Sequence, residues 1–324
     1  MGKVYFTSQR DLRRAENLHA VYDAWTVGNR YYVKLGTSEA RRIFREASKE
    51  DIIVTDEFIE DFTKAVTIMI SHGIPGGKWY GLDQRRRWHD KDRAPTFAIT
   101  ASEDTVSLMS KCTGTPIERV LPLGFPRTDA YIGKKKGDGD SGFSHFRKVY
   151  LYAPTFRNIF NGVWHEPDYN KLGEMLEDDE VFLVKRHIID NVRTVPDIAR
   201  HVVGIDANEI STPYLIDCDV LITDYSSILF DAHILEKPVV LYDPDRLEYL
   251  KTRGMYRDYP WGYASRETQN WEKLLDICRK ADKPGKQDEL CKTQVASMCD
   301  GQSTFRVIQL IEKIQREGIK YDSK

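Results

Sequence analysis

Asp219-Val220-Leu221-Ile222-Thr223-Asp224-Tyr225-Ser226-Ser227-Ile228-Leu229-Phe230-Asp231 is the stretch on which the fold turns. Its run Val220-Leu221-Ile222 is apolar without interruption, which predicts a strand buried on both faces and ending at Thr223. A helix is expected over 226–236, and Pro238-Val239-Val240-Leu241-Tyr242 then predicts the next buried strand. Strand, helix and strand in that order make a βαβ unit with parallel strands. Asp224 or Tyr225 is expected at the helix cap, leaving the amides of Ser226, Ser227 and Ile228 without helical partners. Those amides, the positive helix end and two hydroxyls suit a bound phosphate. The same residues equally suit an ordinary cap with nothing bound.

Working outward, the same alternation recurs on both sides. Lys3–Thr7, Tyr31–Leu35, Ile52–Thr55, Val66–Ser71, Phe97–Thr100 and Val120–Leu123 predict strands, with helices over Asp11–Trp25 and Glu103–Cys112. After a glycine-rich charged segment the pattern restarts with Val149–Ala153, Val181–Lys185 and Val202–Gly204. The glycines and alternating charges of 133–142 cannot pack a core, so 133–147 is expected to be a linker. The expected architecture is α/β and GT-B-like: two Rossmann-type domains with parallel sheets facing a central cleft. Their bounds are 1–132 and 148–324, with the last helix free to return to the first domain. A length of 324 residues suits two such domains.

Composition narrows the function classes. The net charge of −2 gives no global reason to expect nucleic acid as a partner. Basic residues do cluster at Lys78, Arg85, Arg86, Arg87, Lys91 and Arg93, where a solvated face competes with a face turned to an anionic membrane surface. No apolar run reaches the roughly 18–20 residues of a membrane span, and the first residues lack a signal-peptide core. The five cysteines include no Cys-x-x-Cys pair, which argues for a reducing compartment and a cytoplasmic protein.

Several blocks, in order, resemble the CDP-glycerol glycerophosphotransferase family, which makes teichoic acid and related capsule polymers for the cell wall. Asp219–Ser227 is one, followed by Phe230-Asp231 and Lys237–Tyr242. The others are Ser71-His72-Gly73, Gly124-Phe125-Pro126-Arg127-Thr128-Asp129, Tyr152-Ala153-Pro154-Thr155-Phe156-Arg157, Lys185-Arg186-His187 and Asp300-Gly301. The likeness runs from about residue 70 to 310. It implies transfer of glycerol phosphate or ribitol phosphate from a CDP-alditol to an acceptor hydroxyl, with release of CMP. The implied partners are CDP-glycerol or CDP-ribitol and a lipid-linked or polymeric envelope acceptor, met at the inner face of the cell membrane.

On that resemblance His72 and His187 are the expected catalytic residues. His72 follows a strand and is placed to take the acceptor's proton, since imidazole titrates near neutral pH. His187 is expected to face the donor phosphates together with Lys185, because alternate residues of a strand share a face and Arg186 points away. Arg157, Thr223, Asp224, Ser226 and Ser227 complete the expected donor site, arginine because its planar guanidinium matches phosphate oxygens in pairs. Gly73, Gly124, Arg127 and Asp129 are expected in support, although Arg127 and Asp129 also suit a simple ion pair across their turn. His89, His145, His165, His201 and His233 read as structural or exposed.

No metal-ligand spacing stands out, and no cofactor is expected. Asp138 with Asp140, Asp217 with Asp219, and Asp243 with Asp245 fit the Asp-x-Asp spacing but fall in the linker or beside buried strands, and read as structural. Two rival functions stay open. One is a glycosyltransferase using a UDP- or GDP-sugar; the other is a non-catalytic nucleotide-binding subunit.

Overall fold

Short β-branched and aromatic runs become parallel strands in two separate α/β units. The computed structural model describes residues 2–59, 63–71, 73, 94–157, 166–188, 199–252, 255 and 259–318. Among these, one unit holds 2–132 and 294–318, and the other holds 133–293.

The first unit begins with β1 (Val4–Ser8), α1 (Glu16–Ala24), β2 (Arg30–Lys34) and α2 (Ser38–Glu46). It continues with β3 (Ile52–Thr55), β4 (Val66–Ile70), β5 (Phe97–Thr100), α3 (Val106–Thr113) and β6 (Val120–Pro122). The strands pair in the order β2-β1-β3-β4-β5-β6, all parallel. Every residue of β3 and β4 is buried, which is why both read as continuous apolar runs. Helix α2 had no counterpart in the sequence reading, because its core face is only Ala40 and Phe44 within a highly charged segment. The hydroxyl of Thr37 caps it, accepting the amide of Ala40 at 3.2 Å. The single helix expected over Asp11–Trp25 is broken. A 3-10 turn at Leu12–Arg14 ends at Ala15, whose ψ of 59° interrupts the helix before α1 starts.

The second unit runs β7 (Lys148–Tyr152), α4 (Tyr169–Met175), β8 (Glu180–Lys185), β9 (Val202–Ile205), α5 (Thr212–Asp217) and β10 (Val220–Thr223). It continues with α6 (Ile228–Ile234), β11 (Val239–Tyr242), α7 (Arg246–Thr252), β12 (Arg266–Thr268), α8 (Leu274–Arg279) and α9 (Lys286–Val295). Its parallel sheet has the order β12-β11-β10-β7-β8-β9. Tyr150, Phe182, Val220, Ile222 and Val240 join Leu274, Leu275 and Cys278 of α8 in its core. The last helix, α10 (Ser303–Glu317), belongs to the first unit. The two sheets give a GT-B-like pair of Rossmann-type units.

The segment 133–147 is not the free tether its composition suggests. The carboxylate of Asp217 accepts the amides of Gly137, Gly139 and Ser141 at 2.8, 3.0 and 2.9 Å, and the Ser141 hydroxyl at 2.6 Å. Burial opposes ionisation of Asp217, but these hydrogen bonds win and hold its carboxyl below the usual range. Lys136 closes the other side with a 2.6 Å bond to Asp219. Gly139 is required there, since a Cβ would stand 2.2 Å from the carbonyl oxygen of Pro213. The anchoring acids lie some eighty positions downstream, out of reach of a compositional reading.

Candidate functional site

In the second sheet the chain steps outward from β7 to β8 and β9, then returns to the other side of β7 with β10. The crevice beyond the carboxyl ends of β7 and β10 is therefore the topological switch point, where open parallel sheets bind ligands. The segments Thr155–Arg157 and Thr223–Ser227 both emerge there. The Thr223 hydroxyl donates to the carbonyl of Ala153 at 2.7 Å, fixing the two strand ends together. Asp224 then accepts the amide of Thr155 at 2.8 Å.

Arg157 is almost fully buried between two carboxylates. Its Nη2 reaches Asp224 at 2.7 Å and Asp245 at 3.1 Å, its Nε reaches Asp245 at 2.6 Å, and its Nη1 donates to the carbonyl of Thr155. The rings of Tyr225 and Tyr249 lie 5.2 and 5.0 Å from the guanidinium carbon. Burial alone would lower the pKa of Arg157, yet the two carboxylates push it well above its ordinary value. The Tyr225 hydroxyl donates to Asp245 at 3.0 Å, and burial with nearby acids raises its pKa well beyond the usual phenol range. This cluster is a rigid frame for the crevice. Arg157 is thus neither a surface ion pair nor an open phosphate hook.

The helix after β10 starts later than its sequence suggests. Ser227 holds the N-cap position, with no side-chain cap bond, and α6 opens at Ile228. Asp224 cannot cap because its carboxylate is engaged with Thr155 and Arg157, and Tyr225 is fully buried. Ser226 and Ser227 are half-buried, and among the described residues their amides have no partner. The helix is short, so local hydroxyl and amide donors outweigh any macrodipole.

On the neighbouring strand end, Lys185 is buried with its ammonium 3.2 Å from the carbonyl of Ala207. Arg186 is buried against Glu166, away from Lys185. His187 is half-buried, with its ring centroid 4.8 Å from that of Phe156 in the β7 loop. Ser226, Ser227 and His187 therefore stand on strand-end loops of one sheet, while Thr223, Asp224 and Arg157 build the support beneath.

His72 lies outside the described residues, as do the basic stretch 78–93, His89 and His165. The residue before His72 is described: Ser71 offers its carbonyl to the side-chain amide of Asn17 at 2.9 Å. Gly73 turns back, its amide 3.4 Å from the Ser71 hydroxyl.

The Gly124–Asp129 segment turns out to hold α10. Asp129 does not pair with Arg127; its carboxylate accepts the amides of Ser303 and Thr304 at 3.0 and 2.7 Å, capping that helix. Gly124 sits at φ +83°, and a Cβ there would meet the carbonyl oxygen of Met298 at 2.2 Å. The Arg127 amide donates to the oxygen of Asn17 at 3.0 Å.

Sequence reasoning passed over Asn17 and Asp56, and read Asp245 only as a structural member of an Asp-x-Asp pair. Asp56 and Asp245 each had a faint signal. Asp56 directly follows the apolar strand Ile52–Thr55, and Asp245 follows β11, both positions where parallel sheets place functional side chains. Among the described residues no group of three or more His, Cys, Asp or Glu side chains is arranged to hold a metal ion. Asp243 binds Arg246 and Trp261, and Asp217 and Asp219 hold the 133–147 loop. No helix among the described residues is long and apolar enough to cross a membrane.

Comparison with known proteins places the chain among teichoic acid transferases and polymerases in sequence and in fold. The teichoic acid ribitol-phosphate polymerase TarL of Staphylococcus aureus is 24% identical over 93% of the chain, and a teichoic acid glycerol-phosphate transferase of the same species is 28% identical over 67%. The chain spans only 57% and 60% of the length of those relatives. A structure of the wall teichoic acid polymerase TagF superposes with a TM-score of 0.76 at 18% identity, over 99% of this chain and 90% of that one. The family model for CDP-glycerol:poly(glycerophosphate) glycerophosphotransferases matches residues 7–313, and the chain is a member of that family.

Proposed function

We propose that this chain transfers glycerol phosphate or ribitol phosphate from a CDP-alditol to a hydroxyl of a cell-envelope polymer precursor. The acceptor oxygen forms a bond to the phosphorus that carries the alditol. The bond from that phosphorus to the bridging oxygen breaks, and CMP leaves. The observation that supports this reading best is the family match across 7–313, which contains both strand-end loops of the second sheet's switch point.

Phosphoryl transfer is mainly positioning and charge stabilisation. In this reading the hydroxyls and amides of Ser226 and Ser227 hold donor phosphate oxygens, and His187 donates to the same group. Lys185, Thr223, Asp224 and Arg157 act from behind, by fixing the strand ends and their loops. His72, with Gly73 beside it, takes the proton of the acceptor hydroxyl. The acceptor is a lipid-linked or polymeric precursor at the inner face of the membrane.

The test combines donor choice with the two serines. CDP-glycerol or CDP-ribitol should raise the melting temperature more than UDP- or GDP-sugars at equal concentration, because a ligand stabilises only the state it binds. Ser226→Ala and Ser227→Ala should each weaken CMP and donor binding by roughly 1–2 kcal/mol, the scale of a hydrogen bond to a charged group. A preference for a UDP-sugar, with no CMP released from either CDP-alditol, would replace this function with glycosyl transfer.

A further inference from the structure

The first sheet has a switch point of its own. Its chain steps from β1 outward to β2, then returns to the other side of β1 with β3. Beyond the carboxyl ends of β1 and β3 lies a small open hollow lined by Arg10, Arg14, Glu16, Asn17, Asp56 and Arg127. Building on the transfer reaction above, we propose that this hollow binds the terminal alditol phosphate of the acceptor chain. Arg10 and Arg14 hold its phosphate and Asp56 receives one of its hydroxyls.

Two chemistries meet in this lining. Arg10 and Arg14 bring two guanidinium groups to the lining, and guanidinium is the side chain best shaped for phosphate oxygens. The first turn of α1 adds to it. Helix α1 has nine residues, no side chain caps its start, and Ala15, Glu16 and Asn17 line the hollow, so its positive end faces the same space.

Asp56 supplies the second chemistry. It has no exposed surface, and one carboxylate oxygen accepts the Ser8 hydroxyl at 3.0 Å. The other oxygen, Oδ1, has no partner among the described residues. A buried carboxylate oxygen left unpaired is costly, and a second anion cannot satisfy it. An alcohol O–H can. Phosphate beside arginines and hydroxyl beside a buried carboxylate together describe a polyol phosphate rather than a bare anion. Asn17 connects the hollow to the reaction, because it bonds both Ser71, the neighbour of His72, and the amide of Arg127.

Calorimetric titration of the protein with sn-glycerol 3-phosphate, inorganic phosphate and glycerol tests the assignment, with CMP as the control. Glycerol 3-phosphate should bind more tightly than phosphate, and glycerol least. Arg10→Gln and Arg14→Gln should each weaken both phosphate-bearing probes about tenfold. Asp56→Asn should weaken glycerol 3-phosphate while leaving inorganic phosphate unchanged. CMP should bind every variant like the parent. Arg10 and Arg14 are half-buried side chains, so their variants keep the test alive if Asp56→Asn fails to fold. Unchanged glycerol 3-phosphate binding in the two arginine variants, or no binding to a protein that still takes CMP, overturns this site and leaves the transferase reading standing. A parent protein that binds glycerol 3-phosphate but neither CMP nor a CDP-alditol overturns the transferase reading, and with it the acceptor role given to this hollow.

Discussion

Asn17, buried at the start of α1, donates its side-chain amide to the carbonyl of Ser71 at 2.9 Å, across fifty-four positions of sequence. Its oxygen accepts the amide of Arg127 at 3.0 Å. One side chain thereby ties together the end of β4, the first turn of α1 and the Gly124–Asp129 segment.

Replacing Asn17 with Ala should therefore cost about 2–4 kcal/mol, since a carbonyl and an amide are both left unpaired in a buried place. Asn17→Asp keeps an acceptor for Arg127 but sets a carboxylate against the Ser71 carbonyl, so it should do no better. Turnover should fall in both variants while CMP binding holds, because the proposed nucleotide site lies in the other unit. Chemical unfolding with a CMP titration reads both effects. An Asn17→Ala protein as stable as the parent would show that the bridge carries no weight.

Arg157 makes a different demand. Removing it with Arg157→Met leaves Asp224 and Asp245 buried without their cation, which should destabilise the second unit by about 3–5 kcal/mol. Arg157→Lys keeps the charge but cannot reach both carboxylates and the Thr155 carbonyl at once, so it should recover only part of the loss. Because the cluster is buried, added salt should change the deficit little. Urea unfolding at low and high salt measures this. Full recovery by lysine would mean that charge alone, rather than the planar fork, holds the frame.

The contrast between these two residues shows what a sequence carries. Strands such as Ile52–Thr55 and Val220–Thr223 were readable because burial on both faces imposes an unbroken apolar run. Arg157 was readable as a strand-end residue of a recognised block. Its pairing with Asp224 and Asp245 was not, because sheet order, which brings β10 beside β7, is set by packing between distant segments. Asp129 reads as a turn residue, and only the return of α10 to the first unit turns it into a helix cap. The 133–147 loop hides its order in the same way, since Asp217 lies on a different element.

His233 makes stability depend on pH. It lies buried in α6, with Nε2 at 2.7 Å from the carbonyl of Tyr263, so that nitrogen carries the proton. Nδ1 has no partner among the described residues. Protonation would place a second N–H, and a charge, where nothing accepts them. Burial accordingly lowers the pKa from 6.5 to about 4, against a smaller opposing effect of the Tyr263 carbonyl. The unfolded chain binds this proton near pH 6.5, while the folded protein refuses it until about pH 4. Stability from this group is thus fully present above pH 6.5 and is lost progressively as the pH falls toward 4, by on the order of 3 kcal/mol in all. Asp56 and Asp243 are raised by burial and act with the opposite sign, weakening the fold as they ionise with rising pH. The difference between the parent and His233→Gln isolates the histidine, since glutamine keeps a donor for Tyr263 and does not titrate. Urea midpoints at half-unit steps from pH 4 to 7.5 should show the parent losing stability faster than the variant below pH 6.5. Parallel curves across that window would mean that His233 accepts its proton in the folded state.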